Sequence, residues 1–222
     1  MKEVIVNSYP KSSVTEAIHA IKTNLRFSSI NKKIKTILVT SSIAGEGKSF
    51  ISANLATTFA TSTEKVLLID CDLRKGRQNK LFELEEEQKL GLSNLLIDEN
   101  WEKNIDNYIS KTKVENLDLL TTGAIPPNPT TLLESEKLDQ ILAQISSKYD
   151  IIILDTPPLM GLSDALILTR LVDTVLVVAR AKKTTMELLE NTINSLKNVN
   201  ANIAGIILNR IKVKQNKYYK DY

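Results

Sequence analysis

The sequence has almost none of the residues on which several kinds of site are built. It holds one cysteine, Cys71, and one histidine, His19. A single thiol excludes an intrachain disulfide and suits a reducing compartment. A single imidazole leaves little support for histidine-based metal binding or a Ser-His-Asp triad. No apolar run reaches the roughly 18 residues that a membrane-crossing helix needs. The opening Met1-Lys2-Glu3-Val4 has no apolar leader region. These absences lead to the expectation of a cytosolic chain whose membrane association comes from a partner. A net charge of +3 is too small to imply nucleic acid.

What is present suits one sizeable domain with appendages. The chain has 222 residues, 42% of them apolar and 25% charged. Its most informative stretch is Ser41-Ser42-Ile43-Ala44-Gly45-Glu46-Gly47-Lys48-Ser49. It follows the apolar run that ends Ile37-Leu38-Val39 and precedes an apolar-periodic segment from Phe50 to Phe59. Strand, glycine loop, Lys-Ser and helix is the context of a phosphate-binding P-loop. Gly45 and Gly47 let backbone N–H groups approach a phosphate, and the helix N-terminus adds its positive dipole end. Lys48 would reach the β- and γ-phosphates of a bound triphosphate, and the Ser49 hydroxyl would hold Mg2+. The loop departs from G-x-x-x-x-G-K-[ST] at its first position, which is Ser42.

Short apolar strands alternate with amphipathic helices. The runs predict strands over 36–40, 65–69, 117–121, 151–154, 174–179 and 203–208, with helices over 50–60, 135–147, 163–171 and 185–198. Nearly continuous runs such as Ile151-Ile152-Ile153-Leu154 fit strands buried on both faces of a parallel sheet. The alternation predicts a doubly wound α/β fold with its chemistry at the carboxyl ends of the strands. Three units are expected: an N-terminal segment 1–33 with a helix over 14–29, a core 34–210, and a tail 211–222. Residues 98–116, rich in Asn, Lys and Glu, read as a surface insertion pinned by Trp101.

Two further strands end in acids. Val66-Leu67-Leu68-Ile69 runs into Asp70-Cys71-Asp72-Leu73-Arg74, and Ile151-Ile152-Ile153-Leu154 into Asp155-Thr156-Pro157-Pro158. A carboxylate at the end of a buried strand costs several kcal/mol to desolvate unless a cation or donors meet it. Capping of a turn would explain Asp70 or Asp72 singly, and a turn would explain Asp155. Together with a P-loop on a third strand they read as phosphoryl-transfer machinery.

The loop Ala44–Ser49, the segment Leu68–Arg74 and the segment Ile153–Pro158 resemble the Walker A, Walker A′ and Walker B motifs of the bacterial tyrosine kinases. Gly123-Ala124-Ile125-Pro126-Pro127-Asn128-Pro129 is similar to another recurring segment of that family. The resemblance runs from about Glu16 to Arg210 and is strongest to the separate kinase subunits of Gram-positive capsule and exopolysaccharide operons. It implies a P-loop NTPase of the deviant Walker, partitioning-ATPase-like type that uses ATP and Mg2+. Ala44, Gly45, Glu46, Gly47, Lys48, Ser49 and Phe50 would then bind nucleotide. Ser49, Asp72 and Asp155 would hold the metal, and Asp70 would accept the tyrosine proton. Asn209-Arg210 would lie near the adenine, although strand termination explains that pair equally well. The implied partners are a transmembrane activator, further copies of the chain and a cognate tyrosine phosphatase. The implied role is regulation of polysaccharide synthesis and export.

The tail carries the expected phosphoacceptors. Tyr218, Tyr219 and Tyr222, three of the six tyrosines, fall in the last five residues among Lys212, Lys214, Lys217 and Lys220. The segment lacks apolar periodicity and is expected to be flexible, entering a neighbouring copy's site. A solubilising basic tail would explain the lysines but not the clustered aromatics. On the N-terminal helix the family's E-x-x-R-x-x-R pattern is replaced by Glu16, His19 and Lys22. That supports an interface helix without the arginine fork; a solvated amphipathic face is the alternative. Two other readings remain. A partitioning or cell-division ATPase would carry a signature lysine where Ile43 stands, and a nucleotide-binding scaffold would need no tyrosine cluster. Gly76, where the family usually has proline, is expected to loosen the turn after Arg74.

Overall fold

The computed structural model describes residues 4–28, 33–84 and 90–211. A short helix α1 (Ile5–Ser8) leads to α2 (Ser13–Phe27), which starts on a Ser12 side chain accepting from the Thr15 N–H. Strand β1 (Thr36–Ser41) then feeds α3 (Lys48–Ala60), and β2 (Val66–Asp70) follows. Three short helices, α4 (Gln78–Leu81), α5 (Leu92–Ile97) and α6 (Trp101–Asn104), precede β3 (Ser110–Lys111) and β4 (Leu117–Leu120). The remaining elements are α7 (Pro129–Leu133), α8 (Glu136–Ser146), β5 (Ile151–Asp155), α9 (Asp164–Leu168), β6 (Thr174–Arg180), α10 (Met186–Asn198) and β7 (Ile203–Asn209).

The strands form one seven-stranded sheet in the order β3-β4-β2-β5-β1-β6-β7. Its pairs are parallel except β3 with β4. The expected doubly wound, mostly parallel α/β fold is therefore present. Successive residues of the central strands feed opposite cores, which is why their sequences read as unbroken apolar runs. Leu38, Leu67, Ile69, Ile152, Leu154, Val175 and Val177 pack beneath α5, α8 and α9. Ile37, Val39, Leu68, Ile153, Leu176 and Val178 pack beneath α2 and α3.

Two expectations need correction. Residues 98–116 are not a surface insertion. Trp101 and Ile105 are buried in the main core, and Ser110–Lys111 forms the antiparallel edge strand. The polar composition belongs to the outward positions between those anchors. Lys22 is not on the outer face of α2. The buried stripe of that helix is Thr15, Ile18, Lys22 and Leu25, a helical repeat that the i, i+3, i+6 count does not follow. The Lys22 ammonium donates to the Thr58 carbonyl oxygen at 3.1 Å and to the Ser62 hydroxyl, and lies 5.2 Å from the Phe59 ring centroid. Burial pulls its pKa down, against the pull of Glu64. Glu16 and His19 do stay exposed. Tyr218, Tyr219 and Tyr222 lie outside the described residues.

Trp101→Ala is expected to cost about 3–5 kcal/mol in urea unfolding, the usual range for emptying a core aromatic site. A loss below about 0.5 kcal/mol would mark the segment as peripheral after all.

Candidate nucleotide and phosphoryl-transfer site

β1 ends in the middle of the sheet, and its loop turns upward at the carboxyl edge. Gly45 (φ +83°) and Gly47 (φ +99°) both adopt the left-handed conformation that favours glycine. A Cβ on Gly47 would also lie 2.2 Å from Asn209 Nδ2. Gly47 caps α3 without a side chain, so the dipole end of this 13-residue helix opens onto the turn.

The loop's carbonyl groups are tied from outside by distant residues. Lys183 Nζ donates to Ala44 O at 2.9 Å, Arg180 Nη1 to Gly45 O at 3.4 Å, and Asn209 Nδ2 to Glu46 O at 2.9 Å. The Glu46 carboxylate is fully buried and braces the same turn. It accepts from the Ile43 N–H at 2.9 Å and from the Thr184 hydroxyl. Glu46 thus serves the loop through its backbone, with its side chain turned into the protein. Phe50 is half-buried, packed against the core beneath α2 and α3. Asn209 has both polar ends engaged, since Oδ1 accepts from the Arg210 N–H at 2.8 Å. Arg210 is exposed, with φ +58°.

The acids converge because of strand register. β2 and β5 are adjacent and parallel, and Asp70 pairs with Asp155 across them. Lys48, at the start of α3, reaches over to Asp72, 3.2 Å from Nζ to Oδ2. Asp155 is fully buried, accepting from Gln78 Nε2 at 2.8 Å and the Ser52 hydroxyl at 3.3 Å. Burial pushes its pKa up, while Lys48, the Gln78 amide and the Ser49 hydroxyl pull the other way. Asp70 accepts three main-chain N–H groups, from Asp72 (3.2 Å), Arg77 (2.8 Å) and Gln78 (3.0 Å). Burial and then the Asp155 charge outweigh those bonds and push its pKa up to about 7. Cys71 between the two acids is buried, and its thiol is pushed well up by that burial. Arg74 leaves the cluster to pair with the buried Asp164, 2.9 Å from Nε, anchoring the loop to α9.

The structure therefore brings Lys48, Ser49, Asp70, Asp72 and Asp155 together at one glycine turn. Sequence reading missed Gln78, Thr184, Lys183 and Arg180. The last three lie at the end of β6 (Arg180) or just after it, on the strand beside β1, so the rule that ligands bind at strand carboxyl ends could have flagged them. Gln78 had no motif signal. Gly76 does not loosen its turn: a Cβ there would lie 2.2 Å from Thr122 Cγ2 and 2.8 Å from Asp70 Oδ2. Its role is close approach. Among the described residues no group of three His, Cys, Asp or Glu could by itself hold a metal. A hydroxyl plus one or two carboxylates fits Mg2+ brought with nucleotide phosphates, which complete its shell.

A lysine-bearing glycine turn facing strand-end carboxylates on a mostly parallel sheet defines a P-loop NTPase of the deviant Walker type. The MinD septum site-determining protein of Pyrococcus horikoshii shares this fold, with a TM-score of 0.66 at 24% identity over 82% of this chain and 72% of its own. An AAA-domain family profile matches residues 34–209. Tyrosine-protein kinase YwqD of Bacillus subtilis is 35% identical over 221 residues, covering 100% of this chain and 91% of its own length. The chimerical protein CapA2B2 superposes with a TM-score of 0.88 at 32% identity, covering 95% of this chain and 91% of that one. For the kinase domain of Escherichia coli tyrosine kinase ETK the TM-score is 0.87 at 33% identity, covering 99% and 84%. The chain belongs to the bacterial tyrosine-protein kinase family.

Two outcomes follow from the acid cluster. The folded pKa of Asp70, about 7, exceeds its ordinary 3.8. Between those values the native state holds the extra proton, so the associated stability is complete at low pH and lost as pH rises through about 7. Ligand-free protein is expected to melt lower at pH 8 than at pH 6 in differential scanning fluorimetry, and Asp70→Asn to flatten that difference. Gly76→Ala is expected to cost about 1–3 kcal/mol by overpacking against Thr122 and Asp70; unchanged urea unfolding would refute the close-approach role.

Proposed function

We propose that this chain is an ATP-dependent protein-tyrosine autokinase that phosphorylates Tyr218, Tyr219 and Tyr222 in trans. The observation that carries the reading is the meeting of Asp70, Asp72 and Asp155 with Lys48 at the glycine turn. The backbone of Ala44 to Phe50 cradles the phosphates, and Lys48 neutralises the β- and γ-phosphate oxygens. Ser49, Asp72 and Asp155 hold Mg2+, which supplies charge stabilisation on the transferring group. Asn209 sets the shape of the loop from the adenine side, and Arg210 lies beside it.

In the transfer, the phenol oxygen forms a bond to the γ-phosphorus while the bond from that phosphorus to the β–γ bridging oxygen breaks. ADP leaves, and the phenol proton passes to Asp70. An unperturbed carboxylate near 4 is a poor match for a phenol near 10. In the ligand-free chain burial raises the Asp70 carboxyl toward the phenol's range. Asp70 Oδ1 receives a single main-chain bond, at 3.2 Å, and retains acceptor capacity.

Self-association through the N-terminal segment is supported by its exposed apolar groups. Phe27 is 73% exposed and Tyr9 60%, on the segment that carries Glu16 and His19. Among the described residues no helix is long and apolar enough to cross a membrane. We therefore assign recruitment to the inner membrane face to a transmembrane activator, and resetting of the tail to a tyrosine phosphatase, in control of polysaccharide export. Each phosphate adds about −1.5 to −2 charges and turns a cationic tail anionic. This reversal would release the tail and weaken self-association.

The test mixes two chains with Mg-ATP, with and without the activator's cytoplasmic segment. One carries Lys48→Met with its tail intact; the other is catalytically intact with all three tail tyrosines changed to Phe. Mass spectrometry is expected to find phosphate on the Lys48→Met tail only in the mixture. A tail that stays unlabelled there while the unmutated protein labels itself would exclude transfer in trans. Asp70→Asn is expected to lower kcat about 100-fold or more while nucleotide affinity holds, as loss of a general base does.

A further inference from the structure

Gln78 belongs to none of the three recognised motifs, yet it joins them. Its side chain is fully buried at the first position of α4. Nε2 donates to Ser49 O at 3.1 Å and to Asp155 Oδ2 at 2.8 Å, while its main-chain N–H donates to Asp70 Oδ2 at 3.0 Å. The Ser49 carbonyl can only accept, so the amide has one workable orientation. Oε1 must then face away from both partners. It is the single buried side-chain polar atom without a hydrogen-bond partner among the described residues. A buried amide oxygen left unpaired is unfavourable, a cost that keeps both N–H2 donors on Ser49 and Asp155.

We propose that Gln78 is a positioning residue for phosphoryl transfer. Its amide N–H2 holds Ser49 and Asp155, two of the residues that would hold the nucleotide's Mg2+, in register. This rests on the Mg-nucleotide reading of the site. The carboxylates nearby already have partners. Asp155 takes the Gln78 amide and the Ser52 hydroxyl, Asp72 takes Lys48 and the Lys75 N–H, and Asp70 takes three main-chain N–H groups. Gln78 is the side chain that joins the first of these carboxylates to the glycine turn. Groups that orient a metal's ligands from outside typically alter metal affinity by about 10–100-fold.

Two variants test this on the full chain. Gln78→Met removes donor and acceptor at similar volume, and Gln78→Asn withdraws the amide by one methylene. Binding of the fluorescent nucleotide mant-ADP is titrated with MgCl2 against a reference in EDTA, alongside thermal melting. Both variants are expected to need about tenfold more Mg2+ for half-maximal tightening, with affinity in EDTA unchanged. Variants that melt lower but keep the original Mg2+ midpoint would make Gln78 a structural residue only and overturn the proposal. If the unmutated chain shows no Mg2+-dependent nucleotide binding, the nucleotide reading itself fails. Should Gln78→Met not fold, Gln78→Asn decides by the same midpoint.

Discussion

The register between β2 and β5 is the constraint on which the rest of this site depends. Parallel pairing carried to the last residues sets Asp70 beside Asp155, and the chain returns two residues later with Asp72. Like charges so placed, away from water, resist ionising together. The surrounding structure answers with one cation, Lys48, with the Gln78 amide and with a ring of main-chain N–H groups. That answer is incomplete, since the pKa values of both Asp70 and Asp155 remain raised. A site of this kind gains stability when further positive charge enters, which couples ligand binding to the order of three strand ends.

The glycine turn has a complementary problem. A loop that directs its N–H groups toward a phosphate must direct carbonyl groups elsewhere, and those need donors. Lys183, Arg180 and Asn209 supply them to three successive peptide units. Glu46 and Thr184 lock the same segment from within. The loop's shape is thus held by the two strands on the far side of β1, while its charge is balanced by the two strands on the near side. Nucleotide at the turn would touch both halves of the sheet, and changes at α10 or β7 would be felt at the phosphates through these bonds.

Much of this architecture was legible in the sequence. Strands buried on both faces must be apolar at every position, so Ile151–Leu154 and Val175–Val178 announced themselves, as did acids where such runs stop. The strand-loop-helix around Lys48 was legible because phosphate binding demands glycine at fixed offsets. Less visible were elements whose residues do two things at once. The 98–116 segment mixes polar outward positions with Trp101 and Ile105, and its average hid the anchors. Lys22 looked like a surface charge, since sequence spacing cannot show that its ammonium meets the carboxyl end of α3.

By itself, then, the order of residues determined the layer architecture, the phosphate loop, the acids at the strand ends and the kinase family. Each of these follows from local periodicity or from a motif a few residues long. Only the tertiary structure decided which acid sits beside which, how far Asp70 is raised, and that Gln78, Thr184, Lys183 and Gly76 belong to the site. Those facts arise from contacts between residues as many as 139 positions apart. Desolvation and hydrogen-bond partnership exist only once the chain has closed around them.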